Sequence, residues 1–197
     1  MPSSPFPYSV GEPLSPRARQ IVAAARDLLE SEGADALTMR RLGERLGIRA
    51  PSLYKHLPNK AALEVALIAD GFEEAAETFD AATSAAKEPL AALVNAYRAF
   101  VKRNPQLYRL MTERPLPRER LPAEVEHRAA AALVRAVGSP ERARAAFAFI
   151  HGMVVLELNG RFPDDDGLEP AWRAGLAAFA NPASIEALRG RSRDGAA

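Results

Sequence analysis

The sequence predicts an all-α protein. Apolar residues recur at helical spacing along most of the 197 residues, as at Ile21, Ala25, Leu28 and Leu29. Proline repeatedly stands where a new helix would take its first turn. Valine and isoleucine are sparse and never alternate with polar residues, as they would in a half-buried strand. A chain of this length is expected to form one or two small domains with a sizeable buried core.

The composition excludes several classes of protein. With 48% apolar and 26% charged residues, the chain is too apolar to be disordered. The absence of cysteine excludes disulfide scaffolds, thiolate zinc sites and cysteine nucleophiles, and no two histidines have the i, i+4 spacing of a metal site. The sequence shows neither a signal-peptide pattern nor the roughly 20 apolar residues that span a bilayer. We therefore expect a cytoplasmic protein with no membrane partner, metal, cofactor or catalytic residue.

Capping residues and glycines divide the first 60 residues into three short helices. Residues 1–14 come first, and their four prolines indicate a disordered arm. Serine and threonine cap free backbone N–H groups at helix starts, and glycine ends helices in the left-handed conformation. The predicted helices run from Ser15-Pro16 to Gly33, from Thr38 to Gly47, and from Ala50 to His56.

A long fourth helix follows, capped by Asn59 and covering Lys60 to about Ser84. It is apolar on two faces, which predicts a helix sandwiched between two cores. One stripe contains Leu63 and Leu67, and the other contains Val65, Ile68, Phe72 and Phe79.

The remainder of the chain is predicted to form five further helices, each with a proline in its first turn. Asp164, Asp165 and Asp166 form a loop rather than a cation site, because no spaced set of oxygen ligands follows them. The expected helices are 89–103, 105–113, 122–137, 140–161 and 168–180, with Pro89, Pro105, Pro122, Pro140 and Pro170 at their starts.

Charge is distributed unevenly, although the formal net charge is only +1. Residues 38–60 carry a net charge of +5, and residues 61–87 carry −5. A charge run taken alone is usually a solvated face, but this basic block coincides with the three short helices. The second and third of these are joined by Leu46-Gly47-Ile48, the pattern of a helix-turn-helix. Gly43 permits close helix approach and Gly47 a tight turn, so the block predicts a surface for double-stranded DNA.

Residues 37–63 resemble the DNA-binding domain of the TetR family of bacterial repressors. The motif Leu-Tyr-x-His-x-x-x-Lys-x-x-Leu, from Leu53 to Leu63, carries the resemblance. The stretch Ala50-Pro51-Ser52 is closest to the tetracycline repressor branch. The resemblance implies an all-helical homodimer whose C-terminal domain binds a small molecule and thereby releases operator DNA. The implied domains are the arm at 1–14, the helix-turn-helix domain at 15–62, a ligand-binding and dimerisation domain at 63–182, and a tail at 183–197.

The resemblance also implies roles for individual residues. Thr38 matches a helix cap that meets a phosphate, and Arg40 matches a position that contacts a base, where arginine binds guanine bidentately. Ala50 replaces a polar base-reading residue, so the operator is expected to differ from that of the tetracycline repressors. Ala50, Pro51 and Ser52 match the base-facing start of the recognition helix, and the four residues from Tyr54 onward in the following list match phosphate contacts. The complete set of predicted DNA-binding residues is Thr38, Arg40, Arg49, Ala50, Pro51, Ser52, Tyr54, Lys55, His56 and Lys60.

Structural roles compete with these assignments. Thr38 also serves as a helix cap, and His56 either packs under the turn or contacts phosphate. Tyr54 is expected to place its ring in the core and its hydroxyl at the DNA backbone. Arg45 and Arg49 are expected to be solvated rather than to read bases.

The C-terminal half is expected to supply the dimer interface and an effector pocket. In this family the last two long helices pack against their dimer mates, which here implies residues 140–161 and 168–180. Ile150-His151-Gly152 resembles the Trp-His-Gly motif of one C-terminal subfamily, without its tryptophan. The pocket is predicted between the helices 89–103, 105–113 and 140–161, although core packing competes for each residue. Its candidate residues are Tyr97, Phe100, Tyr108, Met111, Phe147 and His151.

Two other functions stay open at this point. A helical-bundle enzyme or metal protein would need two Glu-x-x-His pairs, and Glu124 with His127 is the only one. An architectural DNA-binding protein without a ligand would have a solid C-terminal core with no cavity.

Overall fold

The computed structural model describes residues 14–163 and 167–180, and these segments form helices without a strand, as predicted. A single 3₁₀ turn, Arg118–Arg120, lies between the sixth and seventh α-helices. The α-helices are α1 (Pro16–Glu32), α2 (Met39–Leu46), α3 (Ala50–Tyr54), α4 (Lys60–Thr83), α5 (Pro89–Arg103), α6 (Pro105–Thr112), α7 (Val125–Val137), α8 (Pro140–Leu158) and α9 (Leu168–Ala177).

The capping residues predicted from the sequence stand at the ends of the helices in the structure. The Ser15 hydroxyl accepts a hydrogen bond from the Ala18 N–H at 3.2 Å. The Asn59 side chain accepts one from the Ala62 N–H at 2.8 Å and so caps α4. Gly33 follows α1 with a φ of +83°, in the left-handed half of backbone space that favours glycine. Local sequence chemistry therefore determines these boundaries.

The predicted start of the helix 122–137 is wrong. Pro122 lies in the connection that precedes α7, and the helix begins only at Val125. Glu124 has a φ of +67°, a conformation incompatible with a right-handed helix, so α7 can begin only after it.

Several predicted helix ends are one to three residues too long. The His56 N–H bonds to the Leu53 carbonyl at 2.9 Å, three residues back, so α3 gives way to a turn after Tyr54. Gly160 has a φ of +58° just beyond α8, which ends at Leu158 rather than at residue 161. The helices α4, α6 and α9 likewise end at Thr83, Thr112 and Ala177.

The described residues pack as two compact units. The first contains 14–74 and 103–127, and the second contains 75–102, 128–163 and 167–180. The long helix α4 contributes its first part to one unit and its last part to the other. The predicted functional boundary near residue 62 stays a prediction.

The first unit is built around α1, which packs against α2 and α6, while α2 packs against α3. Its core is mostly aliphatic, and Gly71 of α4 allows α6 to approach. A Cβ atom at Gly71 would lie 2.7 Å from the Met111 sulfur. The fully buried side chains include Ile21, Leu28, Leu42, Leu53, Leu63 and Leu67.

Aromatic residues organise the second unit. Phe79 stacks on Tyr97 with ring centroids 5.4 Å apart and meets the edge of Phe100 at 6.2 Å. In the α8–α9 pair, the Phe149 ring contacts Trp172 edge-on at 5.7 Å. A Cβ at Gly175 would overlap that ring, so the absence of a side chain lets Phe149 pack directly against α9.

Three predicted segments lie outside the described residues: the N-terminal arm apart from Leu14, the loop at 164–166, and the tail at 183–197. Among the helices that the structure describes, none is long and apolar enough to cross a membrane.

Candidate nucleic-acid interface

The turn between α2 and α3 depends on two glycines. A Cβ atom at Gly43 would lie 2.8 Å from the Ile48 carbonyl oxygen, closer than real Cβ contacts allow. The Ile48 N–H donates to the Gly43 carbonyl at 3.0 Å, and Gly47 ends α2 with a φ of +65°. Both predicted glycine roles are confirmed, and they fix the angle at which α3 leaves α2.

Buried leucines hold α3 so that its other side faces solvent. Leu53 and Leu57 are buried, as expected for residues that anchor the helix-turn-helix core. Eight of the ten predicted DNA-binding residues are exposed, and Ala50 and His56 are half-buried. The exposed residues are Thr38, Arg40, Arg49, Pro51, Ser52, Tyr54, Lys55 and Lys60. All ten lie in the first unit.

The expectation that the Tyr54 ring lies in the core is wrong. Tyr54 is 47% exposed, and it is among the few large hydrophobic residues on the surface. The neighbouring Leu53 fills the core position, and Tyr54 is exposed, as are Ser52 and Lys55.

Thr38 and Arg40 occupy the start of α2. The Thr38 hydroxyl accepts a hydrogen bond from the Arg41 N–H at 3.1 Å and therefore caps the helix, as predicted. The Arg40 side chain is 82% exposed, and its guanidinium pairs with Glu44 at 2.7 Å. An exposed pair of this kind contributes little to stability, so Arg40 can exchange Glu44 for another partner at small cost.

Arg41 has a different environment from its neighbour. Its guanidinium forms a two-pronged ion pair with Glu32 of α1, with both distances at 3.0 Å. Hydrogen bonds from Arg41 to Glu32 raise the pKa of this arginine. Arg41 therefore links α2 to α1, whereas Arg40 points away from the core.

Lys60 stands at the start of α4 and makes two weak contacts. Its ammonium group lies 3.8 Å from the Glu64 carboxylate and donates to the Ala34 carbonyl at 3.5 Å. These contacts hold the side chain beside the helix-turn-helix without burying it.

A polar network in the first unit connects α1 with α4 and α6, and sequence reasoning missed it. Arg26 pairs with Asp70 at 2.9 Å and with Glu74, and it donates to the Asn104 side chain at 3.0 Å. Partial burial lowers the pKa of Arg26, but the hydrogen bonds and charges of Glu74 and Asp70 raise it overall. The partners are 44 to 78 residues from Arg26 in sequence, so local spacing gives no indication of them.

The six predicted effector residues fall in different environments. Tyr97 and Phe100 are buried beside Phe79 in the second unit. Phe147 is 45% exposed, and its ring stacks on the His151 ring with centroids 5.8 Å apart. Partial burial of His151 lowers the pKa of its imidazole. Tyr108 and Met111 are buried in the first unit and lie within one turn of α6.

Two cavities among the described residues lie away from the predicted effector residues. One of about 160 Å³ lies in the first unit between α4, α6 and the connection after α6. Another of about 40 Å³ lies in the second unit beside Arg98 and Glu157. None of the six predicted effector residues lines either cavity.

A charged cluster that the sequence did not indicate lies in the second unit. The Arg98 guanidinium binds Glu157 at 3.0 and 3.2 Å and Glu169 at 2.5 Å, and it lies 5.0 Å from the centre of the Trp172 ring. Burial raises the pKa of Glu157, but hydrogen bonds from Arg98 and Lys102 outweigh it and lower the pKa overall. The cluster ties α5 to α8 and α9. Across the described part of the chain, no group of three or more potential ligands could hold a metal ion.

Two family models match the chain. One, described as "Bacterial regulatory proteins, tetR family", matches residues 21–67. The other, "Tetracyclin repressor-like, C-terminal domain", matches residues 90–179. The assignment of the C-terminal half to a Trp-His-Gly subfamily stays a prediction.

Comparison of the chain with individual proteins indicates the same family as the two family models. An uncharacterized HTH-type transcriptional regulator of Mycobacterium tuberculosis (strain ATCC 25618 / H37Rv) is 31% identical over 169 residues, which cover 80% of this chain and 78% of that protein. The class A tetracycline repressor of Escherichia coli transposon 1721 is 53% identical over 47 residues, 24% of this chain and 22% of the repressor. A single-residue variant of TetR from Acinetobacter baumannii AYE, solved in complex with minocycline, is 28% identical with a TM-score of 0.59, covering 90% of this chain and 99% of that one.

These matches cover both the helix-turn-helix and the C-terminal helices. Members of the matching family regulate transcription and are not enzymes, so the enzyme alternative is wrong. The chain belongs to the TetR family of bacterial transcriptional regulators.

Proposed function

We propose that the protein is a repressor that binds a palindromic operator as a homodimer and releases it when a small molecule binds. The observation that carries this proposal is the exposed basic face of residues 38–60, presented by a helix-turn-helix whose turn is fixed by Gly43 and Gly47. A basic helix-turn-helix with its recognition helix exposed is suited to the major groove. A cytoplasmic location follows from this proposal.

The proposed contacts divide into base readers and phosphate clamps. Arg40 and the first residues of α3, Ala50, Pro51 and Ser52, are the readers. Ala50 offers a methyl group rather than a hydrogen-bonding group, which suits contact with the methyl group of thymine. Phosphates are bound by Thr38, Tyr54, Lys55, His56 and Lys60, and Arg49 adds positive charge beside them.

The proposed dimer forms through α8 and α9. Phe147 and Leu156 are the large hydrophobic residues that α8 leaves exposed, at 45% and 42%. The exposed residues of α9 include Ala171, Ala174 and Ala177, whose small side chains permit a partner helix to approach closely, beside the charged Glu169 and Arg173. Phe147 and Leu156 are nine residues apart and therefore lie on opposite sides of α8. In a four-helix bundle between two copies, α8 would have helices on both of these sides.

The proposed coupling between effector and DNA passes through α6. This helix directly follows α5 in the chain, and Glu30 and Arg26 attach its N-terminal end to α1. A ligand that prefers one position of α6 therefore biases the position of α1, and with it the helix-turn-helix. Coupling of this kind is typically about 1–3 kcal/mol and acts equally in both directions.

Selection of bound sequences from a random duplex library tests the proposed function. We expect the enriched sites to be palindromes whose half-site centres are about 10 base pairs apart. Recovery of single, unpaired half-sites would contradict the dimeric arrangement, and an absence of enrichment would contradict sequence-specific binding.

A competing proposal is a DNA-binding protein that needs no effector. It is favoured by the second unit, where Phe79, Tyr97 and Phe100 pack against one another and the cavity beside Arg98 measures only about 40 Å³. Screening small molecules against the operator complex separates the two, because only the repressor proposal predicts a compound that releases DNA.

A further inference from the structure

Glu44 is the one acidic residue of the basic block at residues 38–60, and it lies on α2 among the proposed DNA contacts. Its side chain is 46% exposed. A carboxylate on a surface that binds phosphates repels them, so Glu44 lowers the affinity of this surface for DNA of any sequence. The contacts of Glu44 indicate what it contributes instead.

The Glu44 carboxylate contacts two arginines through different oxygens. Its Oε1 accepts a hydrogen bond from Nη1 of Arg40, one turn back on α2, at 2.7 Å. Its Oε2 lies 3.5 Å from Nη1 of Arg41, which makes its two shorter bonds to Glu32 of α1. Arg41 would therefore keep a two-pronged partner if Glu44 were removed, whereas Arg40 has no second partner in the described part of the chain.

The contact with Glu44 leaves most donors of the Arg40 guanidinium available. Nη1 donates to the carboxylate, and Nη2 and Nε have no partner among the residues that the structure describes. Bidentate recognition of guanine needs two N–H groups, and a guanidinium has five. Arg40 can therefore stay paired with Glu44 while it donates to a base.

We propose that Glu44 is a positioning residue that increases the specificity of the base contact made by Arg40. This inference rests on the proposed function, in which Arg40 reads a base. The Arg40 side chain is 82% exposed, and pairing with a residue four positions along the helix reduces the number of its conformations before DNA binds. The same carboxylate competes with DNA phosphates for Arg40, and phosphate contacts carry no sequence information. Glu44 therefore favours the base contact over a nonspecific contact and lowers the total affinity.

Selection of bound sequences from a random duplex library measures the preference at each base pair without a known operator. Arg40→Ala identifies the base pair of each half-site that Arg40 reads, because the preference there should fall by about five- to a hundredfold. Glu44→Ala should weaken the preference at that same base pair by about two- to fivefold, the size expected for an exposed ion pair. The preferences at the other positions should stay as in wild type.

Fluorescence anisotropy on a random duplex measures the effect of the charge. Glu44→Ala should bind this duplex about two- to tenfold more tightly than wild type at low salt, and the gain should shrink as the salt concentration rises. Glu44→Gln removes the charge but keeps an oxygen that accepts from Arg40. It should therefore gain the same affinity for random DNA and lose less of the base preference than Glu44→Ala.

Glu32→Gln is the matched control, because it removes one negative charge from the same group of side chains but from the partner of Arg41. It should leave the preference at the Arg40 base pair unchanged. Alanine is a good helix former, so Glu44→Ala is expected to fold, and circular dichroism establishes that each variant does.

An undiminished preference of Glu44→Ala at the base pair read by Arg40 would overturn the proposal. An equal loss of preference at every position would also overturn it, because that result indicates a general change in the helix-turn-helix. A wild-type protein that enriches no sequence would instead contradict the proposed function, and the role of Glu44 would fall with it, so the two failures are distinguishable.

Discussion

Glu30 of α1 caps the N-terminus of α6 by accepting a hydrogen bond from the Leu107 N–H at 2.8 Å. The other oxygen of the same carboxylate accepts from the Gln106 N–H at 3.2 Å. The side chain of Asn104, which precedes α6, makes no capping bond. Glu30, which is 76 residues before Gln106 in the sequence, fills this role. A carboxylate at this place binds free N–H groups and is also stabilised by the helix dipole.

Replacing Glu30 should therefore destabilise the protein. We expect Glu30→Ala to lower the free energy of unfolding by about 1–3 kcal/mol, because two backbone N–H groups lose a charged acceptor. Glu30→Gln keeps the shape and one acceptor oxygen, so its loss should be smaller. Urea unfolding followed by circular dichroism measures both. Glu113→Ala, which removes an exposed carboxylate from the end of α6, is the control, and an equal effect of Glu113→Ala and Glu30→Ala would contradict the capping role.

Gly43→Ala should disrupt the helix-turn-helix. The added methyl group would lie 2.8 Å from the backbone oxygen of Ile48, which cannot rotate away. We expect a loss of stability of about 1–3 kcal/mol and a shift of α3 that weakens specific DNA binding. Thermal unfolding and anisotropy measure the two effects. Arg45→Ala on the exposed side of α2 should leave stability nearly unchanged, and a wild-type melting temperature for Gly43→Ala would show that the turn tolerates a side chain.

Arg40→Ala and Lys60→Ala should separate base reading from phosphate binding. We expect Arg40→Ala to lose about 1–3 kcal/mol at one base pair of each half-site and to relax the preference there. Lys60→Ala should weaken binding to specific and random duplexes by the same factor. Competition binding with a set of single-substitution duplexes and a random duplex measures the loss of affinity of each variant. Equal losses for both variants on both kinds of DNA would show that the assigned roles are wrong.

Glu157 should make stability in the second unit dependent on pH. Because the folded-state pKa of this carboxylate is lowered, it contributes stability above its unfolded pKa of about 4.3, and that contribution is lost as the pH falls through the folded value. At pH 7, Glu157→Gln should be less stable than wild type by about 1–3 kcal/mol. Urea unfolding at several pH values should show this difference shrinking below about pH 4, and a difference independent of pH would contradict the role of the charge.

Phe147→Glu and Leu156→Glu should each convert the proposed dimer into a monomer. Phe147 and Leu156 lie on opposite sides of α8, and both sides contact other helices in the proposed bundle, so a carboxylate at either position would be buried. An unpaired buried charge is strongly unfavourable. Sedimentation velocity measures the oligomeric state. Ala85→Glu adds the same charge to an exposed position outside α8 and α9 and should leave the dimer intact. If both α8 variants sediment like wild type, the dimer does not form through α8.

The helix-turn-helix could be predicted from the sequence because its parts are local. Thr38, Gly43 and Gly47 act on residues three to five positions away, so their spacing reveals their roles. The recognition of Leu53 and Leu57 as buried residues follows from the same short range.

The features that the sequence did not predict depend on contacts between residues that are distant in sequence. The partners of Arg26, Glu30 and Arg98 lie 44 to 78 residues away, and no periodic pattern indicates them. The left-handed conformation of Glu124 also could not be predicted from the sequence, because nonglycine residues adopt it only where the surrounding structure requires it. The fold class and the exposure of most of the predicted DNA-binding residues were therefore predictable, whereas the polar networks and the cavity between α4 and α6 were not.

The salt dependence of binding to duplex DNA tests most directly whether residues 38–60 bind DNA as a dimer. About four phosphate contacts per protomer give about eight per dimer, so log Kobs should fall against log salt concentration with a slope of about −7. Lys60→Ala should reduce the magnitude of this slope by roughly 2, because each protomer loses one contact. A slope near zero, or one that Lys60→Ala leaves unchanged, would contradict the assignment of this face to DNA.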